Sequence, residues 1–439
     1  MATILPFRGV LYNPAVVGDV AQVVAPPYDV IDARAQRALY ARHPNNVVRL
    51  ELGLDEPGDD AARNKYQRAA TALRAWLASG ALARDPAPAV YPYTIEYRVP
   101  GGGPGETRLL KGFLATVVLE EFGEGRIYPH ENTRSAAKAD RLRLMEACRA
   151  NFSPIFSLFS DPEGDVLRLI DKSVDADRPR ADFRDDEGFR QRLWAVSDRT
   201  VLREVSALLQ PKPLFIADGH HRYETALAYR RQRRRAEGLP PEGADRPYDH
   251  VLMLCACLED PGLTVLPTHR ALRLRLPALP DCLARLEHSF AVELLPFTPA
   301  TEAAVRERFL GALRLAGETG RAFGLALEGA GAYALLTLKP GAQPAGASAK
   351  DRLDVSVLHG LALPALGVKA IEEADVVYTK SEQEALDLVR RGEVGAAVLL
   401  NPTKVAEVRE VAAAGDRMPH KSTYFFPKPL TGLVLNVME

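Results

Sequence analysis

Four apolar residues, Leu214-Phe215-Ile216-Ala217, run without a break into Asp218-Gly219 and then His220-His221-Arg222-Tyr223-Glu224-Thr225-Ala226. A short apolar run closed by a turn pair reads as a buried strand, and Tyr223, Ala226 and Leu227 fall at the spacing of a helix's inner face. The chain is thereby committed to a strand that enters a helix through a tight turn. The first turn of such a helix has backbone N–H groups without intrahelical acceptors and the positive end of the helix dipole. An anion placed there gains directional donors and favourable charge. Asp218, Gly219, His220, His221 and Arg222 are therefore expected to line a polyphosphate site, with Gly219 permitting close approach. The competing expectation is local: Asp218 caps the helix and both histidines are solvated.

At 439 residues the chain has length for two to four domains. Its 47% hydrophobic and 26% charged content is that of a globular protein and excludes a disordered or collagen-like one. The formal charge of −1 leaves no global positive field, so nucleic acid and anionic membranes are not expected partners. No run approaches the ~18 apolar residues of a membrane span, and Met1 to Tyr12 does not read as a signal peptide; a cytoplasmic address is expected. Cys148, Cys255, Cys257 and Cys282 lie in apolar or helical patterns without paired CxxC spacing, and read as reduced core residues.

The expected fold class is mixed α/β. A helix over 64–77 closes at Gly80, and a long hairpin joins 90–99 to 109–119 through the turn at Gly101 to Gly105. From about Arg273 the apolar periods give strand, helix (282–290), strand (292–295), helix (301–315) and strands (322–327, 333–338), the order of an α/β plait. Further strand and helix alternation follows at 376–379, 385–391, 396–401 and 406–414. Two regions are expected, 1–272 with the phosphate-binding core and 273–439, whose segment 418–430 returns to the site.

Other residues carry candidate chemistry. Tyr128-Pro129-His130-Glu131-Asn132-Thr133 ends a strand-like stretch before the helical pattern of 136–150. An acceptor hydroxyl needs a positioned base, and Glu131 beside His130 offers a carboxylate and an imidazole; Glu131 equally suits the helix N-terminus electrostatically. Thr133 or Ser135 is expected to cap that helix. Lys138 and Arg141 share a face that either meets phosphate or is solvated. Asp29, in the rigid turn after Ala25-Pro26-Pro27-Tyr28, is aimed either at a substrate amine or metal or at its own turn. Arg270 in Pro267-Thr268-His269-Arg270 reads as a second anion clamp or a strand end. Lys421-Ser422-Thr423 and Lys428 bracket Tyr424-Phe425-Phe426, so Lys421 and Ser422 are expected to face phosphate while Phe425 is buried. The run Arg230-Arg231-Gln232-Arg233-Arg234-Arg235 reads as a solvated helix end.

The segment from Pro213 to Ala226 resembles the signature of the ParB/sulfiredoxin superfamily, in which a strand leads through a glycine into a basic, phosphate-binding helix start. Asp218-Gly219-His220-His221-Arg222 is similar in particular to the motif of its free serine kinases. Sulfiredoxins carry a reactive cysteine where His220 stands, and classical ParB proteins carry Glu-Arg-Arg in place of His220, His221 and Arg222. A wider resemblance, through Pro6-Phe7-Arg8-Gly9, Ala25 to Val30, Pro129 to Thr133, the histidine segment and Met418 to Lys428, is to the family called domain of unknown function 1015. These resemblances imply a ParB/sulfiredoxin-like nucleotide-binding core and a small-molecule kinase. Its donor would be ATP, ADP or pyrophosphate, its acceptor a metabolite hydroxyl such as free L-serine. Glu131 and His130 would be catalytic, Asp29 and Thr133 would meet substrate, and Asp218 to Arg222, Arg270, Lys421 and Ser422 would hold phosphates. Mg²⁺ is the implied metal, with Asp218 as its ligand. The alternative is a nucleotide-gated binding module acting on DNA or a protein partner; a homo-oligomer is compatible with either.

Overall fold

The computed structural model describes residues 3–101, 105–131, 135–343, 346–368, 372–419 and 421–438, with backbone alone at 135–137 and 373. Two compact units emerge: Met1–Thr264 together with Pro427–Glu439, and Val265–Phe426. The division thus falls before His269–Leu272, an interior strand of the second unit's sheet, and not after it at 272/273. The chain's last thirteen residues rejoin the first unit.

The first unit is built on a mixed nine-stranded sheet. Its order is Ile127–Tyr128, Leu214–Asp218, Ile155–Phe159, His250–Cys257, Thr107–Val118, Tyr91–Arg98, Arg190–Leu193 and Ala181–Arg184, with Ile4–Leu5 also paired to Thr107–Val118. The hairpin expected around the glycine turn is present, Arg98 lying opposite Thr107. His250–Cys257 is buried at every position after His250 because it has a strand on either side and both its faces are covered. That environment explains its unbroken apolar run and the burial of Cys255 and Cys257; all four cysteines are buried and free.

Leu214–Asp218 runs parallel to Ile127–Tyr128 and antiparallel to Ile155–Phe159. Its register slips between Ile216 and Asp218, and such an irregularity bends a strand and re-aims the chain that follows. The helix His220–Ala236 begins immediately beyond. Ile216, Tyr223, Ala226, Leu227 and Tyr229 join one core with Met145 and Met253. Leu144 and Cys148, from the same helix Ser135–Cys148 as Met145, join a second core with Val10, Leu73, Trp76, Leu435 and Val437. One helix is thus anchored in two cores.

The arginine run is a solvated face only in part: Arg231 and Arg235 are exposed, Arg230 and Arg234 are not. Arg230 is 1% exposed and Arg234 3%. Arg230 donates to the Leu119 carbonyl and to Glu121, and Arg234 to Asp245, while Arg231 and Arg233 pair with Glu121 and Glu237. Spacing along the helix reveals Glu237, four residues after Arg233, but not Glu121, which comes from more than a hundred residues upstream.

In the second unit's six-stranded sheet every neighbouring pair is antiparallel, in the order Phe290–Pro296, Ala332–Leu338, Ala322–Leu327, Ala396–Leu400, His269–Leu272 and Val376–Thr379. The helices Glu302–Thr319 and Glu382–Arg390 cover one face through Phe309, Leu313, Ala385 and Val389. Leu279–Leu286 and the helical stretch from Asp354 to Ala365 cover the other through Cys282, Leu286, Leu358 and Leu363. The strands and helices expected from 282 onward are present, but the plait order is closed into three layers by the 354–365 stretch. No helix among the described residues is long and apolar enough to cross a membrane.

Candidate functional site

Gly219 sits at φ 96°, in the left-handed region, as the residue before the first helical turn. A Cβ there would lie 2.9 Å from Arg222 Nε, so both the backbone angle and the close approach of the guanidinium call for glycine. No side chain caps this helix; Gly219 O accepts from Tyr223 N at 3.0 Å, and Asp218 is engaged elsewhere. One Asp218 oxygen accepts from Arg222 Nη2 at 2.5 Å and the other pairs with Lys428 Nζ. Lys428 also reaches Asp29 at 3.1 Å. The reason is topological: Ala25 and Thr431 exchange two backbone hydrogen bonds in an antiparallel bridge, which carries Asp29 past Lys428.

Burial pulls the Asp218 carboxyl upward, but Lys428 and Arg222 outweigh it and hold it well below the usual carboxylate range. With an ammonium on one oxygen and a guanidinium on the other, Asp218 is not disposed as a metal ligand. Among the described residues no group of three or more His, Cys, Asp and Glu could hold a metal ion. The residues present do not fit the divalent ion expected from sequence.

His130 and His220 are 2% and 5% exposed, and their rings meet edge to face with centroids 4.6 Å apart. His130 N–H donates to His220 Nε2 at 3.2 Å, so that nitrogen carries a lone pair. His130 Nδ1 lies 2.6 Å from the Ile216 carbonyl, which only accepts, so the proton is on Nδ1. Desolvation drives His220 down to about 3, with His130 as the second cause, and lowers His130 as well. Both rings are neutral. His220, expected to line the polyphosphate site, is instead a buried acceptor that ties the helix start to the 130 segment.

His221 is half-buried. Its pKa is lowered by desolvation against the opposing charges of Glu131, Glu224 and Asp29. Glu131 bears electrostatically on His130, His220 and His221 alike. Lys138 pairs with Glu224 at 2.7 Å. The structure therefore brings together Asp29, His130, Glu131, Asp218, Gly219, His220, His221 and Arg222, and adds Lys428, which the sequence placed only as a bracket of the aromatic patch.

Arg222, expected as a phosphate donor, points inward: it is 9% exposed, bonded to Asp218 and the Pro154 carbonyl. Arg141 is likewise buried and not on a solvated face. It donates to the Glu51 carbonyl at 2.7 Å, to Glu51 Oε1 at 3.1 Å and to Asp140 at 2.5 Å, and it stacks 4.4 Å above the Tyr28 ring. A cavity of about 40 Å³ lies between Glu51, Arg141, Asn151, Ser153, Arg222 and Thr225. Leu144, Met145, Ala150, Phe152, Ile155 and Val251 complete its lining, and among the described residues Arg222 Nε and Thr225 Oγ1 are buried without a hydrogen-bond partner.

Arg270, Lys421 and Ser422 belong to the second unit. Arg270 is fully buried, and its Nη2 donates to the Lys421 carbonyl at 3.0 Å. The Ser422 hydroxyl donates to Pro419 O at 2.6 Å, and its carbonyl accepts from Thr403 at 2.7 Å, so Ser422 shapes a turn in which Lys421 holds φ 57°. Phe425 is buried, as expected. Thr133 lies outside the described residues.

The chain matches, over residues 4–356, the family described as a protein of unknown function, DUF1015, and it belongs to that family. The match leaves the closing 418–428 segment outside it. No curated protein matches the chain. Among solved structures, a conserved hypothetical protein from Pyrococcus furiosus is similar at 14% identity, covering 71% of this chain and 92% of its own, with a TM-score of 0.32. A free serine kinase in complex with AMP is 15% identical, covering 71% and 88% at 0.33. SbnI from Staphylococcus aureus, truncated at its C-terminus, is 10% identical, covering 70% and 82% at 0.33.

Proposed function

We propose that the first unit transfers a phosphoryl group from a nucleotide, ATP or another polyphosphate, to the hydroxyl of a small metabolite, free L-serine being the first candidate. One observation carries the reading: the start of the His220–Ala236 helix, Lys428 and the charge of Glu131 converge on one turn. The first-turn N–H groups supply directional donors for phosphate oxygens. Lys428, shared between Asp29 and Asp218, supplies positive charge as the leaving oxygen departs. His130 and His220, neutral and mutually fixed, hold the turn's shape without repelling a cation. Glu131 accepts the hydroxyl proton as the acceptor oxygen bonds to phosphorus and the bond to the nucleotide leaving group breaks.

The test is direct. Purified protein is incubated with ATP, ADP or pyrophosphate and a pool of hydroxyl amino acids, and mass spectrometry follows the products. Many turnovers of a phosphorylated hydroxyl compound are expected; stoichiometric nucleotide binding without product would replace this reading with a nucleotide-gated binding module.

A further inference from the structure

Thr268 immediately precedes the strand His269–Leu272, and Arg270 is the second residue of that strand. Arg270 lies between Tyr378 and Val398 in register, on the face whose core includes Leu272, Val398 and the wide turn Leu358–Ala362. The side chain is 0% exposed. Its Nη1 donates to the Thr268 carbonyl, its Nη2 to the Lys421 carbonyl, and its plane lies 5.5 Å from the Tyr378 ring centroid. Among the described residues, Arg270 Nε and the Thr268 hydroxyl are both buried without a hydrogen-bond partner.

What sets Arg270 apart is that no counter-charge meets it among the described residues. Arg141, Arg222, Arg230, Arg234 and Arg306, the other buried arginines among the described residues, each hold a carboxylate. No described carboxylate pairs with Arg270. A buried, uncompensated cation is costly, and a donor without an acceptor adds to the cost. The field of the bare charge is felt nearby: desolvation, then Arg270, hold His359 on the wide turn down to about 4, and Arg270 is itself lowered by desolvation to about 10.

We propose that Arg270 and Thr268 form a binding site for a small oxyanion, the carboxylate or phosphate group of a ligand. The guanidinium's unpartnered Nε–H offers one charge-assisted donor to an oxyanion, and the Thr268 hydroxyl offers a second. The site draws on residues of the second unit alone and does not depend on the phosphoryl-transfer reading.

The test uses the full-length protein with two probes, inorganic phosphate and acetate, read by calorimetry and by the ring resonances of His359. Saturable binding that moves the His359 resonances is expected, with phosphate-only or acetate-only binding identifying which group the site takes. Thr268→Val is expected to weaken it about tenfold, and Arg270→Met to abolish it. In anion-free buffer Arg270→Met should melt no lower than wild type, because it removes an uncompensated buried charge. Three results would overturn the proposal: no response of His359 to either anion, a response that survives Arg270→Met, or a clear loss of stability in that variant without anion. Should Arg270→Met fail to fold, the Thr268→Val affinity decides.

Discussion

Glu131 and Lys428 carry opposite charges into one turn, and each makes a separable prediction. If Glu131 takes the acceptor proton, Glu131→Gln keeps shape and hydrogen bonding but loses basicity. Single-turnover phosphoryl transfer should then fall ~10²–10⁴-fold with nucleotide affinity and melting temperature nearly unchanged. Equal losses in affinity and melting temperature would return Glu131 to a structural role at the helix start. Lys428 is tested through acid unfolding. Because Asp218 is held below its ordinary range, its contribution to stability is full above the usual aspartate pKa near 4 and is lost as pH falls towards about 2. Lys428→Met lifts Asp218 towards its ordinary value, so the acid-unfolding midpoint by circular dichroism should move to higher pH; an unmoved midpoint would detach Lys428 from Asp218 in solution. The motif itself was legible in the sequence, but the state of its histidines was not. His220 is an acceptor because of a backbone N–H ninety residues away, which no local spacing encodes.

The strand-turn-helix unit depends on a backbone angle that only glycine holds without strain. Gly219→Ala forces a Cβ into left-handed backbone and against Arg222, which must leave Asp218 or move off the Pro154 carbonyl. A loss of ~1–3 kcal/mol in chemical denaturation is expected, with weaker nucleotide binding as the helix start shifts; an Ala variant as stable as wild type would contradict the conformation. Elements with strong internal periodicity were legible: the helix expected over 301–315 runs Glu302–Thr319, and the strand expected over 396–401 runs Ala396–Leu400. Elements whose burial comes from elsewhere were not. The stretch 354–365, interrupted by a π turn and Pro364, has no clean helical period, yet it covers a whole face of the second sheet. Arg141 looked solvated in helical projection because Glu51, its buried partner, lies ninety residues upstream.

At the scale of the molecule, the first unit is closed by a segment that follows the entire second unit in the chain. Thr431 pairs with Ala25, Leu435 with Val10, and Asn436–Val437 with Ala150–Asn151, while Lys428 meets Asp29 399 residues away in sequence. Leu435 and Val437 are core residues of the first unit, whereas the second unit's six-stranded sheet contains nothing from beyond Phe426. A chain ending at Phe426 therefore removes a strand, the buried residues Leu430, Leu433, Val434, Leu435 and Val437, and one of the two cations that hold Asp218, all from one unit. Hydrogen exchange should show residues 10–25 and 150–152 losing protection while 322–327 and 396–400 keep theirs, because locally cooperative units open separately when their contacts differ. Nucleotide binding should be lost in the same truncated chain. A synthetic peptide of residues 427–439 should restore both, and the same peptide with Lys428→Met should restore protection at 10–25 without restoring binding, since its backbone pairing is intact and its charge is not. Unaltered protection in the truncated chain would show that the first unit closes without this segment, and equal rescue by the two peptides would remove Lys428 from the site.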